Sequence, residues 1–179
     1  MNRMQAIQVF NQMDHKGRFV FNRYDLEKMF PADNSKTLQE GLRRLVKSGL
    51  LIHACRNVYV NHNARSFDSY VIEHIAKALR RGEYNYVSLE SMLSEYGLIS
   101  QIPIDRLTVM TTGRSGIYET AYGVIEFTRT SRSADEIRNN IQTVSERPLR
   151  IAKRATAVRD LKRVNRNLKL LIQEDVNND

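Results

Sequence analysis

Ser35–Asn61 reads SKTLQEGLRRLVKSGLLIHACRNVYVN, and within it a helical pattern passes directly into one suited to a short β-hairpin. At 100° per residue, Leu38, Leu42, Leu45 and Val46 share one side of a helix that Ser35 is placed to cap. Lys36, Thr37, Glu40, Arg43, Arg44 and Lys47 fall on the opposite side, with Gln39 at the margin. Ser48 and Gly49, following a basic last turn, end the helix. LLIH and VYV are then β-prone runs around ACRN, a polar connection of hairpin length that carries Arg56 and Asn57.

Two further helices precede this stretch. Met4, Ile7, Val9, Phe10 and Met13 recur at near-helical spacing, which predicts an amphipathic helix over about residues 2–13, closed by His15, Lys16 and Gly17. GRFVF is a short β-type run, and Asn22 is placed to cap a second helix, RYDLEKMF, which Pro31 stops. Three helices, the third basic on its outer side, followed by a hairpin, are in the order of a winged helix-turn-helix over residues 1–62. In such a module the third helix enters the major groove and the hairpin lies on the backbone. A basic outer face is also the usual state of a solvated helix, and winged helices also dock proteins, so both alternatives stand beside DNA binding.

Charge sharpens the picture. The 179 residues carry a formal net charge of +8, and the length suits one medium domain or two small ones. Residues 1–60 hold 10 basic and 5 acidic groups, 61–130 hold 7 and 8, and 131–179 hold 11 and 7, giving +5, −1 and +4. A neutral middle between basic ends implies more than one functional surface. The single cysteine, Cys55, excludes an internal disulfide, and no apolar run reaches the roughly 20 residues of a membrane helix. The N-terminus lacks the apolar core of a signal peptide, so the expected location is cytoplasmic.

NHNARSF marks the expected boundary, with a second domain over residues 66–179. A helix is predicted from about Ser66 to Arg81, ended by Gly82. YVSLESMLSEYGLI predicts another, with Ser88 as cap, Ser91 at the capping-box position, Leu89, Met92, Leu93 and Tyr96 inward, and Gly97 closing it. RLTVMTTG, SGIYETAYG and VIEFTRT alternate with a period of two, which predicts a small antiparallel sheet against the helices and an α+β fold. From Pro148 to about Gln173, Ile151, Ala155, Val158, Leu161, Val164, Leu168 and Leu171 recur every three or four residues, predicting one long amphipathic helix over 148–173. Nine Arg or Lys residues lie between Arg147 and Lys169 against one acid, Asp160. They predict a cationic ridge, either solvated or facing an anionic partner.

Enzymatic constellations are missing from the pattern. His15, His53, His62 and His74 are scattered, with no HExxH, no Cys/His cluster at metal-ligand spacing, no GxSxG and no Walker-type loop. The expectation is a protein without catalytic activity, metal or cofactor.

TLQEGLRRLVKSGLL with RNVYV, then YVSLESMLSEYGLI, then TVMTTGR with YETAYGVIEF, resembles the AbiEi family of antitoxins, abortive-infection components of type IV toxin–antitoxin pairs. The likeness spans roughly residues 5–150. It implies a bacterial two-domain protein whose winged helix binds inverted repeats in its own promoter and represses the operon, as a monomer or a dimer. The C-terminal domain would neutralise a toxin of nucleotidyltransferase fold, directly or indirectly. By position, Lys36, Thr37, Gln39, Arg43, Arg44, Lys47, Arg56 and Asn57 would meet double-stranded DNA. Arg147, Arg150, Lys153, Arg154, Arg159, Lys162 and Arg163 are the candidates for the neutralising surface. SERPLRIAKRA departs from the family's Pro-Glu-Arg-Ala type of entry into the last helices. The alternative is a protein-interaction adaptor, or a general transcriptional regulator with no toxin partner.

Overall fold

The computed structural model describes residues 1–99, 104–165 and 167–171. The chain divides into two compact units, residues 1–79 with 120–122, and residues 80–119 with those from 123 onward.

In the first unit, α1 (Arg3–Asp14) leads through β1 (Val20–Asn22) into α2 (Arg23–Met29) and α3 (Ser35–Lys47). The hairpin β2 (Ile52–Cys55) and β3 (Val58–Val60) follows, then α4 (Val71–Leu79). The three strands form an antiparallel sheet in the order β1-β3-β2. Ala6, Phe10, Phe21, Leu26, Phe30, Leu38, Leu42, Leu45 and Leu51 make one core, so the apolar sides of α1, α2 and α3 meet over the sheet. Phe10 packs between Phe21, tilted against it with ring centroids 5.3 Å apart, and Phe30, edge-on at 6.0 Å.

Asn22 caps α2 in a reciprocal box, its side chain accepting from Asp25 N while Asp25 accepts from Asn22 N. The cap of α3 is Asn34 rather than Ser35: Asn34 Oδ1 accepts from Thr37 N at 2.9 Å and from the Thr37 hydroxyl at 3.1 Å. Ser35 becomes the first helical residue because its hydroxyl and carbonyl are engaged by Arg23 instead. Expected from about Ser66, α4 starts only at Val71. Asp14 accepts from Ser66 N at 2.9 Å, and Asp68 accepts from Tyr70 N at 2.8 Å and holds residues 68–70 in a turn. This helix packs on β1 and β3 of the first unit, although its sequence reads as the start of the second domain.

The second unit contains β4 (Asn85–Val87), α5 (Leu89–Glu95), β5 (Arg106–Thr111), β6 (Gly116–Thr120) and β7 (Gly123–Arg129). Then come α6 (Ala134–Asn140), β8 (Ile141–Gln142), β9 (Arg150–Ala152), α7 (Arg154–Val164) and a 3₁₀ turn, Leu168–Leu170. The class is α+β, but the sheet is larger than expected and mixed: six strands in the order β6-β7-β5-β4-β9-β8. Strands β5 and β7 are parallel, as are β4 and β9, whereas β4–β5 and β8–β9 are antiparallel. Alternation of side chains reports which face a residue takes and carries no direction, so the pattern could not distinguish the two pairings.

The predicted helix over 148–173 is likewise corrected. Arg150–Ala152 is β9, paired on both sides, and α7 runs only from Arg154 to Val164. Pairing of Ile151 with Val87 and Gln142 overrides the local helical spacing. At the other end Asn165 adopts a left-handed conformation, φ 53°, which asparagine tolerates better than most residues and which terminates the helix. Residues 166, 172 and 173 of the predicted helix lie outside the described residues.

Ser88 and Ser91 also do different work from that expected. The Ser88 hydroxyl donates to Asp160 Oδ2 at 2.8 Å and makes no cap bond. Ser91 Oγ accepts from Thr108 N at 2.9 Å while Thr108 Oγ1 accepts from Ser91 N at 3.0 Å, which fastens α5 to β5. Asp160, fully buried on α7, also takes the Tyr86 hydroxyl at 3.2 Å and Arg132 Nη1 at 2.5 Å.

Candidate nucleic-acid interface

All eight side chains singled out in the N-terminal region are exposed: Lys36, Thr37, Gln39, Arg43, Arg44, Lys47, Arg56 and Asn57. The core spacing of α3 dictates this. With Leu38, Leu42 and Leu45 buried, the remaining arc must face water. Arg43 lies on one side of that arc and is 79 % exposed, loosely paired with Glu40 at 3.4 Å. Arg44 lies on its other side, beside Gly41, where a shallow apolar cleft is lined by Met1, Asn2 and Arg3. So the two adjacent arginines serve different flanks of α3. Thr37 is partly committed to the Asn34 cap.

On the other flank, the first turn of α3 faces the hairpin across an open groove of about 600 Å³, lined by Arg23, Glu27, Ser35, Gln39, His53, Arg56, Asn57 and Tyr59. Three predicted residues, Gln39, Arg56 and Asn57, meet here. Asn57 takes φ 64° at the hairpin turn, a left-handed position that turns the chain between β2 and β3 and leaves Arg56 at the tip. His53 and Tyr59 are paired across the strands with ring centroids 5.0 Å apart, forming one wall. Burial pushes the Tyr59 phenol up from its ordinary pKa, while the charge of Arg23 pulls it back down.

Arg23 is the residue that sequence reasoning did not reach. Its backbone N–H donates to Asn57 O at 2.9 Å, which ties the start of α2 to the hairpin turn. Its Nε donates to Glu27 Oε1 at 3.0 Å, and its Nη2 to Ser35 O at 2.9 Å and Ser35 Oγ at 3.0 Å. One residue therefore joins α2, α3 and the hairpin, its backbone bound to the hairpin turn and its side chain to α3. The only sequence signal is the Arg23/Glu27 spacing of four, which reads as an ordinary helix pair.

In the second unit the seven basic candidates do not form one ridge. Arg147 is withdrawn: its two terminal nitrogens each reach a Glu95 carboxylate oxygen at 2.8 Å, and its side chain is 7 % exposed. Arg150 is exposed on β9, and Lys153 Nζ donates to Asn139 O at 2.8 Å. Arg154, Arg159, Lys162 and Arg163 occupy one half-circle of α7 at 100° per residue and are all exposed, with Arg163 donating to Ser131 Oγ at 3.1 Å. The basic surface is thus the outer arc of a three-turn helix.

Among the described residues, no group of three or more His, Cys, Asp or Glu could hold a metal ion, and no helix is long and apolar enough to cross a membrane. Cys55 is half-buried and its thiol is pushed up by that burial, the opposite of what an activated nucleophile needs.

No family model and no curated protein matches the chain. Among solved structures, the crystal structure of the RV2827C protein from Mycobacterium tuberculosis is similar, with a TM-score of 0.49 and 14% identity. The match covers 76% of this chain and 48% of that one, so the chain spans about half the length of that protein.

Proposed function

We propose that the first unit is a winged helix-turn-helix that binds double-stranded DNA, with α3 as the reading helix and β2–β3 as the wing. One observation carries this reading: the exposed arc of α3 and the hairpin tip present Lys36, Arg43, Lys47 and Arg56 to solvent, while every large apolar side chain of α3 is turned into the core. An exposed cationic helix beside a cationic hairpin suits a groove lined by phosphates, the helix supplying base contacts and the hairpin backbone contacts. Together with the resemblance to AbiEi antitoxins, it supports an autorepressor acting on inverted repeats in its own promoter. The second unit, through the basic arc of α7, would then oppose a nucleotidyltransferase-fold toxin, with no catalysis by this chain.

Fluorescence anisotropy tests the DNA reading, using the duplex upstream of the gene against a shuffled duplex at 50 and 200 mM salt. Expected is a preference for the native duplex that persists at the higher salt. Equal, salt-fragile binding to both refutes a sequence-specific repressor. A protein-docking adaptor is the second reading, favoured by the exposure of Met4 (67 %) and Tyr24 (54 %) on the same unit. Such an interface would respond little to salt.

A further inference from the structure

The geometry points to the groove between α2, α3 and the hairpin as a seat for one backbone phosphodiester, gripped by Arg23 and Arg56. This inference rests on the DNA-binding reading and assigns a role to a side chain outside the exposed arc of α3.

Arg23 is fixed before any ligand arrives. Its Nε and Nη2 are committed to Glu27 and Ser35, and its side chain is only 21 % exposed. Its Nη1 has no protein partner among the described residues, so two N–H donors remain on a guanidinium whose orientation is already set. A side chain held in this way loses little conformational freedom on binding an anion, in contrast to the freely exposed Lys36 or Arg43. Arg56 approaches the same groove from the hairpin tip, and the Gln39 amide can donate from α3. Glu27 offsets one positive charge, which leaves the two arginines with a net charge of about one toward the groove, matching a single phosphodiester.

Position selects a nucleic-acid phosphate over a free anion. The groove is open rather than enclosed, and it is flanked on one side by the arc bearing Arg43 and on the other by the hairpin. A strand whose bases meet α3 would run its backbone past this point.

The two arginines share one phosphate in this proposal, and salt dependence reads that directly. Full-length protein carrying Arg23→Ala, Arg56→Ala or both is titrated by anisotropy against native and shuffled duplexes between 50 and 200 mM salt. Each single substitution should weaken both duplexes alike, by about tenfold, the size of one charge-assisted hydrogen bond. The slope of log affinity against log salt should fall by about one unit, and the double variant should show the same fall rather than twice it. Arg43→Ala, in contrast, should erode the preference for the native duplex.

If Arg56→Ala keeps the wild-type slope while Arg43→Ala loses affinity, the seat is overturned and the DNA reading stands. A slope loss of about two in the double variant also overturns it, since each arginine would then hold its own phosphate. Absence of any DNA binding by the wild-type chain removes both. Arg56 lies at an exposed turn, so its variant keeps the test valid even where Arg23→Ala disturbs α2. Arg23→Lys is the companion variant, which should retain the slope while losing affinity because the charge remains and the fork does not. Inorganic phosphate, added at constant ionic strength, should compete only weakly; strong competition reassigns the groove to a free anion.

Discussion

Asp160 owes its role to partners distant in sequence. It is the sole acid among the nine cations between Arg147 and Lys169, yet it is fully buried, and Arg132, Ser88 and Tyr86 all donate to it. The Tyr86 phenol is pushed well above its ordinary pKa, first by burial and then by the Asp160 charge, so it stays a donor throughout the working pH range. Replacing Asp160 with alanine strands the Arg132 guanidinium, which is 7 % exposed, and should cost about 3–5 kcal/mol in urea denaturation. A loss below about 1 kcal/mol would mean that the network contributes little. His74 offers a pH test in the first unit. Burial beside Phe19 holds its pKa below the ordinary 6.5, partly opposed by the hydrogen bond to Asp68. Between that depressed value and 6.5 the unfolded chain binds a proton that the folded chain does not, so stability should fall as pH drops through this window and be flat for this group above it. Thermal melts of wild type and His74→Gln from pH 7.5 to 5 check this, the variant having a shallower dependence. Equal slopes would show that another group titrates.

In the helices and strands, legibility followed the strength of the local signal. Helices α1, α2 and α3, the hairpin, β5 and β7 were all readable because each has recurring apolar residues and a punctuating Asn, Gly or Pro, although Met4 of α1 is exposed and Ala6 is buried in its place, and β5 is buried along nearly its whole length. The exposed arc of α3 followed from the same period, and with it Lys36, Thr37, Gln39, Arg43, Arg44 and Lys47. What was not legible depended on partners distant in sequence: β9 took its strand form from β4 and β8, and Arg23 took its role from Ser35 and Asn57. Competing local signals explain the misplaced cap, since Asn34 and Ser35 are both good caps and only the use of Ser35 by Arg23 decides between them. That choice makes a prediction. Asn34→Ala should destabilise the first unit by about 1 kcal/mol, while Ser35→Ala, which leaves the carbonyl bond to Arg23 intact, should cost less. Guanidinium unfolding of the two variants compares them, and a larger loss in Ser35→Ala would restore Ser35 as the cap.

The distribution of charge over the two units determines how their functions can be separated experimentally. Deleting residues 148–179 looks like removal of a basic tail, but it takes out β9 from between β4 and β8 and, with α7, the buried Ala157, Asp160 and Leu161. Such a truncation should unfold the second unit, so loss of activity in it would say nothing about the surface. Charge reversal of Arg159 and Lys162 leaves the core intact because both are exposed. It changes the net charge by −4, from +8 to +4, and so weakens the general attraction for DNA. If α7 makes no contact with DNA, that loss should be visible at low ionic strength and largely screened at 200 mM, where the Debye length is about 7 Å. Arg43→Ala, which in the proposed reading removes a base contact worth roughly 1–3 kcal/mol, should weaken binding at both salts. Anisotropy at 50 and 200 mM distinguishes the two, and an undiminished loss for the α7 variant at the higher salt would place that helix on the DNA and withdraw it from the proposed toxin-directed surface.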